Sequence, residues 1–212
     1  GSHRYAMLDG GTEVYTVDGS ITSSLDSELL DLMELPQLPD LDEKNITSVQ
    51  LELTDGTVRQ LTSAVETRET EVETETGETD ENGEPIYETT TETEEITLWS
   101  LDGQPLPEGA VGLEDWLYDL STLYLDSCSA FKADQEELSA CGMDGASLLT
   151  VSLTSGETFT LAIGGQTEDG SYVYAALEAP APGCDLFLIS ADKARTLSDL
   201  NYESLSANEE AE

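Results

Sequence analysis

Any chemistry in this chain has to come from carboxylates, because little else is available. Of its 212 residues 46 are Asp or Glu, seven are Lys or Arg, and the single histidine is His3. With no further histidine there is no Ser/His/Asp or Cys/His arrangement, no imidazole metal site and no ordinary titration near neutral pH. One group of oxygen ligands has suggestive spacing: Asp80, Asn82 and Glu84 alternate around Gly83 and loosely match the start of an EF-hand loop. A true EF-hand is excluded, since the sixth position of the loop is not glycine and the flanks read as strands. These three residues are the candidate metal ligands, with calcium at a weak all-oxygen site as the ion. No catalytic and no cofactor-binding residue is assigned.

A pair of carboxylates could serve a glycosidase, which needs an acid and a base or nucleophile about 5 to 9.5 Å apart in a cleft. With so many acids some pair meets that criterion by chance, so the count points to no active site. Trp99, Trp116 and Tyr118 could form a sugar platform, but their spacing fits buried strand and helix positions, and all three are expected in the core. Cys128, Cys141 and Cys184 cannot all pair, and they match neither a C-x-x-C motif nor a zinc ligand set. They read as small buried residues, with a Cys128–Cys141 disulfide as the alternative. Lys132 reads as a strand-end lysine and Asp134 as a helix N-cap. Lys193 and Arg195 balance nearby acids.

The formal charge of −39 excludes nucleic acid and anionic membrane surfaces as partners, because both are held mainly by cations that this chain lacks. An apolar fraction of 38% still permits a packed core. No apolar run approaches the roughly 20 residues that span a bilayer. Gly1-Ser2-His3 reads as the remnant of a cleaved expression tag, which leaves an upstream signal or anchor open.

The elements follow from periodicity. Residues 13–18 have strand composition, and Leu25, Leu29, Leu32 and Met33 then fall at helical spacing until Pro36 and Pro39. A boundary is expected near Leu41. Residues 46–53 alternate, Asp55-Gly56 makes a turn, and residues 58–61 return, which is a hairpin signature. Residues 66–95 hold twelve Glu, one Asp and one Arg, with Thr alternating and no apolar stripe. They are expected to form a projecting acidic hairpin, with glutamates facing each other across the strands and disorder at the tip as the alternative. A helix carries Val111, Leu113, Trp116, Leu117 and Leu120, a strand covers residues 123–131, and Asp134 caps a short helix with Glu137 in the capping-box position. Strands are expected at residues 148–154, 157–163, 172–177 and 186–189, then one helix over 192–205. EVYTVDGSITSSL near the start and DLFLISADKARTL near the end repeat a strand–turn–helix pattern.

The stretch LSTLYLDSCSAFKADQEELSACGMDGASLLTVSLTSGETFTLAIGG, followed by YVYAALE and LFLISADKARTL, resembles the bacterial domain-of-unknown-function family 4340. Lys132-Ala133-Asp134 matches its "ad" step, Cys141-Gly142-Met143-Asp144 stands for its Tyr-Gly-Leu-Asp turn, Gly156 is the hairpin glycine, and Ile163-Gly164 ends the next strand. The resemblance covers residues 96–200, and 45–61 more weakly. It implies an extracytoplasmic location at the cell surface of bacteria, including gut Firmicutes, with anchoring by an upstream segment, tandem copies and an association with ABC transporter components. It supplies no catalytic residue.

The expected architecture is therefore α+β: a mainly antiparallel sheet packed by two or three helices, with the acidic hairpin at 66–95. Residues 1–3 are tag, 4–40 the closing strand and helix of a preceding repeat plus linker, 41–205 one repeat, and 206–212 an acidic tail. The expected function is a non-catalytic cell-envelope module that binds or braces a protein partner, an ABC-transporter-associated complex being the named candidate. A weak calcium-binding surface domain and a carboxylate-based glycan-active or glycan-binding domain are the alternatives.

Overall fold

The computed structural model describes residues 3–7, 14–18, 34–79 and 85–208. β1 (His3–Met7) and β2 (Val14–Asp18) pair antiparallel, with His3 opposite Asp18, as a two-stranded sheet of their own. The helix expected from Leu25 to Met33 lies outside the described residues. Nine further strands are described, and they pair mainly antiparallel. The fold is mainly antiparallel sheet with α-helices, so the α+β class holds.

The chain divides into two compact units, each assembled from three stretches. One takes in residues 40–122, 149–159 and 196–212. Its first hairpin is the predicted one: β3 (Ile46–Glu52) pairs with the start of β4 (Val58–Thr79) around the Asp55-Gly56 turn, with Val49 opposite Leu61. β5 (Pro85–Leu101) returns along β4, and β6 (Gln104–Pro105) closes on its end. The turn between them puts Asp102 at φ 52, which a short polar side chain tolerates when it bonds locally. Asp102 Oδ1 accepts from the backbone N–H of Gln60 at 2.8 Å, and its Oδ2 accepts from Arg59 at 3.0 Å. α1 (Val111–Ser121) then buries Leu113, Trp116, Leu117 and Leu120, the stripe the heptad spacing predicts.

Tyr118 does not join that core. It is 66% exposed, because on a helix it falls off the face that carries Trp116 and Leu120. The expectation held for Trp99 and Trp116, which are 5% and 2% exposed.

The other unit takes in residues 1–39, 123–148 and 160–195. The strand expected over 123–131 is shorter: only β7 (Ser127–Ala130) is extended and paired, against Leu186–Leu188. Lys132 then turns the chain at φ 52, its backbone N–H donating to Asp185 Oδ1 at 2.9 Å and its ammonium lying 5.0 Å from the Phe131 ring centre. α2 (Gln135–Ala140) starts at Asp134 with the full capping box, Asp134 accepting from Glu136 and Glu137 while Glu137 accepts from the Asp134 N–H. Gly142 ends it at φ 69, where an added Cβ would stand 2.9 Å from the Gly165 nitrogen. That close approach lets the Gly165 N–H reach Cys141 O at 2.8 Å.

β10 (Tyr172–Ala176) runs antiparallel to both β9 (Thr158–Gln166) and β11 (Leu186–Ser190), and these strands and β8 (Ser147–Leu153), with its strict inward alternation, lie close to the predicted bounds. The single helix expected over 192–205 is instead two, α3 (Ala191–Ser198) and α4 (Tyr202–Leu205). Asn201 breaks it: the residue is extended and its side chain accepts from the Ser204 N–H at 2.9 Å, starting a new helix.

Candidate functional site

Beyond its first few residues β4 leaves β3 and pairs only with β5. From Glu66 to Glu71 and from Tyr87 to Glu95 every residue is exposed. Thr and Glu at alternate positions favour extended backbone, yet neither face offers an apolar stripe to bury. The register is fixed at the base, where Leu61 stands opposite Leu101 and Ser63 opposite Trp99, and it runs on to Glu75 opposite Tyr87.

That register corrects the expectation of facing glutamates. Glu69, Glu71 and Glu73 stand opposite Thr93, Thr91 and Thr89, while Glu95, Glu92 and Glu88 stand opposite Thr67, Thr70 and Thr74. Glu94 is opposite Arg68, and Glu66 is opposite Ile96. No glutamate is registered directly against another among these pairs. A slip of one residue either way would put Glu69 opposite Glu92 or Glu94, so charge repulsion disfavours both neighbouring registers. Thr91→Glu, which places a carboxylate opposite Glu71, should loosen the hairpin by about 0.2 to 1 kcal/mol, seen as faster amide exchange along β5. Unchanged exchange would mean that the register is not what spaces these charges.

Arg68 does not reach across to Glu94. Its guanidinium forms a fork to Glu108 at 3.2 and 3.3 Å, an exposed pair worth little in stability. Nearer the core of this unit Asp42, Glu43, Glu114, Leu117, Tyr118 and Ser121 line a cavity of about 230 Å³. Trp99 Nε1 donates to Glu43 Oε1 at 2.9 Å, which positions one of those acids. Sequence reasoning missed this juxtaposition, because only the tertiary fold brings residues 42–43 to α1.

Acid–base chemistry gains no support from the titrating groups. Asp55 is held below the ordinary carboxylate range by the Thr57 backbone N–H at 2.8 Å, and Asp169 by the Thr167 hydroxyl at 2.7 Å, both within turns. Burial pushes the Cys128 thiol up, and burial followed by the charge of Glu137 does the same for Cys141. All three cysteines are free, and thiols raised as those of Cys128 and Cys141 are make poor nucleophiles. Among the described residues no group of three or more His, Cys, Asp or Glu is placed to hold a metal ion. The candidate ligands Asp80, Asn82 and Glu84 lie outside the described residues. No described helix is long and apolar enough to cross a membrane.

The fold class alone, α+β, is what the described residues define. The family model of DUF4340, a domain of unknown function, matches residues 1–102. This is the family the sequence resemblance named, although the matched residues include the weaker stretch at 45–61 and end where the stronger one, 96–200, begins. No curated protein and no solved structure matches the chain.

Proposed function

We propose that this chain is a non-catalytic module of the bacterial cell envelope, outside the cytoplasm, that binds or braces a protein partner through a projecting acidic hairpin. The observation that carries the reading is the exposure of every residue from Glu66 to Glu71 and from Tyr87 to Glu95 on strands that pair only with each other there. Ordering the ten cross-strand pairs from Glu66–Ile96 to Glu75–Tyr87 with so little apolar surface to bury brings little stability, so the segment's worth lies in what it meets. The envelope location rests on the family resemblance, with an ABC-transporter-associated complex as the candidate partner and an upstream segment as the anchor.

Crosslinking capture from native bacterial envelope tests this, with the intact chain and a hairpin-excised chain as paired baits. In the excised chain Asn-Gly replaces residues 67–95 and joins Glu66 to Ile96, which are already paired across the strands. A protein recovered by the intact bait alone is the expected result. Equal recovery by both baits, or none by either, would contradict the reading.

A further inference from the structure

β5 has a second edge. β6 covers it only at Ser100 and Leu101, and the Leu106 N–H takes Trp99 O at 2.9 Å. Among the described residues no other strand pairs with that edge between Tyr87 and Leu98. An open edge is a row of backbone donors and acceptors able to receive an added strand, roughly 40 Å long for these residues at about 3.4 Å each.

We propose that this edge is a strand-addition site for an extended segment of a partner protein in which Lys or Arg alternates with β-branched residues. The inference rests on the hairpin being the contact surface and deepens it by naming what the contact reads. Alternation along β5 puts Glu88, Thr90, Glu92 and Glu94 on one face and Thr89, Thr91 and Thr93, followed by Glu95 at the base, on the other. An incoming strand therefore meets carboxylates on one face and a column of threonines on the other. Opposite charges and Thr pairs are the favourable cross-strand neighbours, so the matching segment carries cations at every second position and threonine or valine between them. A second copy of this chain does not fit, because pairing the same edges brings together two segments with twelve Glu each. Charge alone would accept cations in any order; the edge accepts them only in alternation.

The test is fluorescence anisotropy with the full chain and three end-capped peptides. One alternates Lys and Thr, one has the same residues as a Lys block followed by a Thr block, and one is the alternating peptide methylated on every second backbone nitrogen, prepared in both phases. The alternating peptide should bind, the block peptide about tenfold more weakly, and one methylated phase not at all. A chain with Glu88→Lys, Glu92→Lys and Glu94→Lys, shown by circular dichroism to keep its fold, should lose the alternating peptide. Equal binding of the alternating, block and methylated peptides would overturn strand addition, and so would binding of none. Hairpin-dependent capture alongside either result would leave the partner reading standing, whereas capture that survives excision would remove both.

Discussion

Gly112→Ala is expected to destabilise the unit that holds α1 and α4 by about 3 kcal/mol, although alanine normally strengthens a helix interior by about 1 kcal/mol over glycine. The reason is contact with backbone. A Cβ at position 112 would sit 2.0 Å from Ser204 O, 3.1 Å from Ser204 C and 3.3 Å from Leu205 C. None of these is the tip of a flexible side chain, so α1 and α4 would have to separate. Separation would also stretch the bond from the Gly112 N–H to Ala207 O at 3.1 Å, and it would lift Leu205, 1% exposed, out of its pocket. Urea denaturation decides the sign. A midpoint well below that of the parent is expected; a midpoint raised by the ordinary helix preference would show that α4 does not dock this closely.

The two tryptophans should respond differently to the same substitution. Trp99 Nε1 donates to the carboxylate of Glu43, whereas Trp116, 2% exposed, buries its Nε1 with no hydrogen-bond partner. Replacing either by phenylalanine removes similar volume. At Trp116 the change also removes an unsatisfied donor, whose burial costs about 1 to 3 kcal/mol, so the packing loss is largely offset. At Trp99 the change discards a charge-assisted bond worth about 1.5 to 3 kcal/mol and leaves Glu43 unpaired. Trp99→Phe should therefore cost about 2 kcal/mol more than Trp116→Phe in parallel urea titrations. Equal losses would mean that a water satisfies Trp116.

Legibility in the sequence followed the range of the interaction. The Asp55-Gly56 hairpin and the Asp134 capping box involve groups two to four residues apart, and both were readable. The break at Asn201 was not, because residues 192–205 keep helical apolar spacing while one side chain captures the Ser204 N–H and restarts the turn. Tyr118 misled for a related reason: an aromatic next to a buried stripe is not on it, and the deciding angle is one residue's worth of rotation. For the Thr/Glu hairpin, composition gave the strands, but the register comes from Leu61, Ser63, Trp99 and Leu101 at the base, residues outside the repeat. The Glu/Thr pattern disfavours a one-residue slip, but with no apolar face of its own the ribbon takes its register from the packed base. The cavity beside Glu43 and Tyr118 joins residues more than 70 positions apart and left no local trace.

Removal of the acidic hairpin, as an appendage, should leave the packed units intact. Urea unfolding of the intact chain and of the chain with Asn-Gly in place of residues 67–95 tests it most directly. Unfolding free energies within about 0.5 kcal/mol are predicted, since residues 67–71 and 87–95 are all exposed. A loss of more than about 2 kcal/mol would show that the hairpin supports the fold rather than serving something outside it.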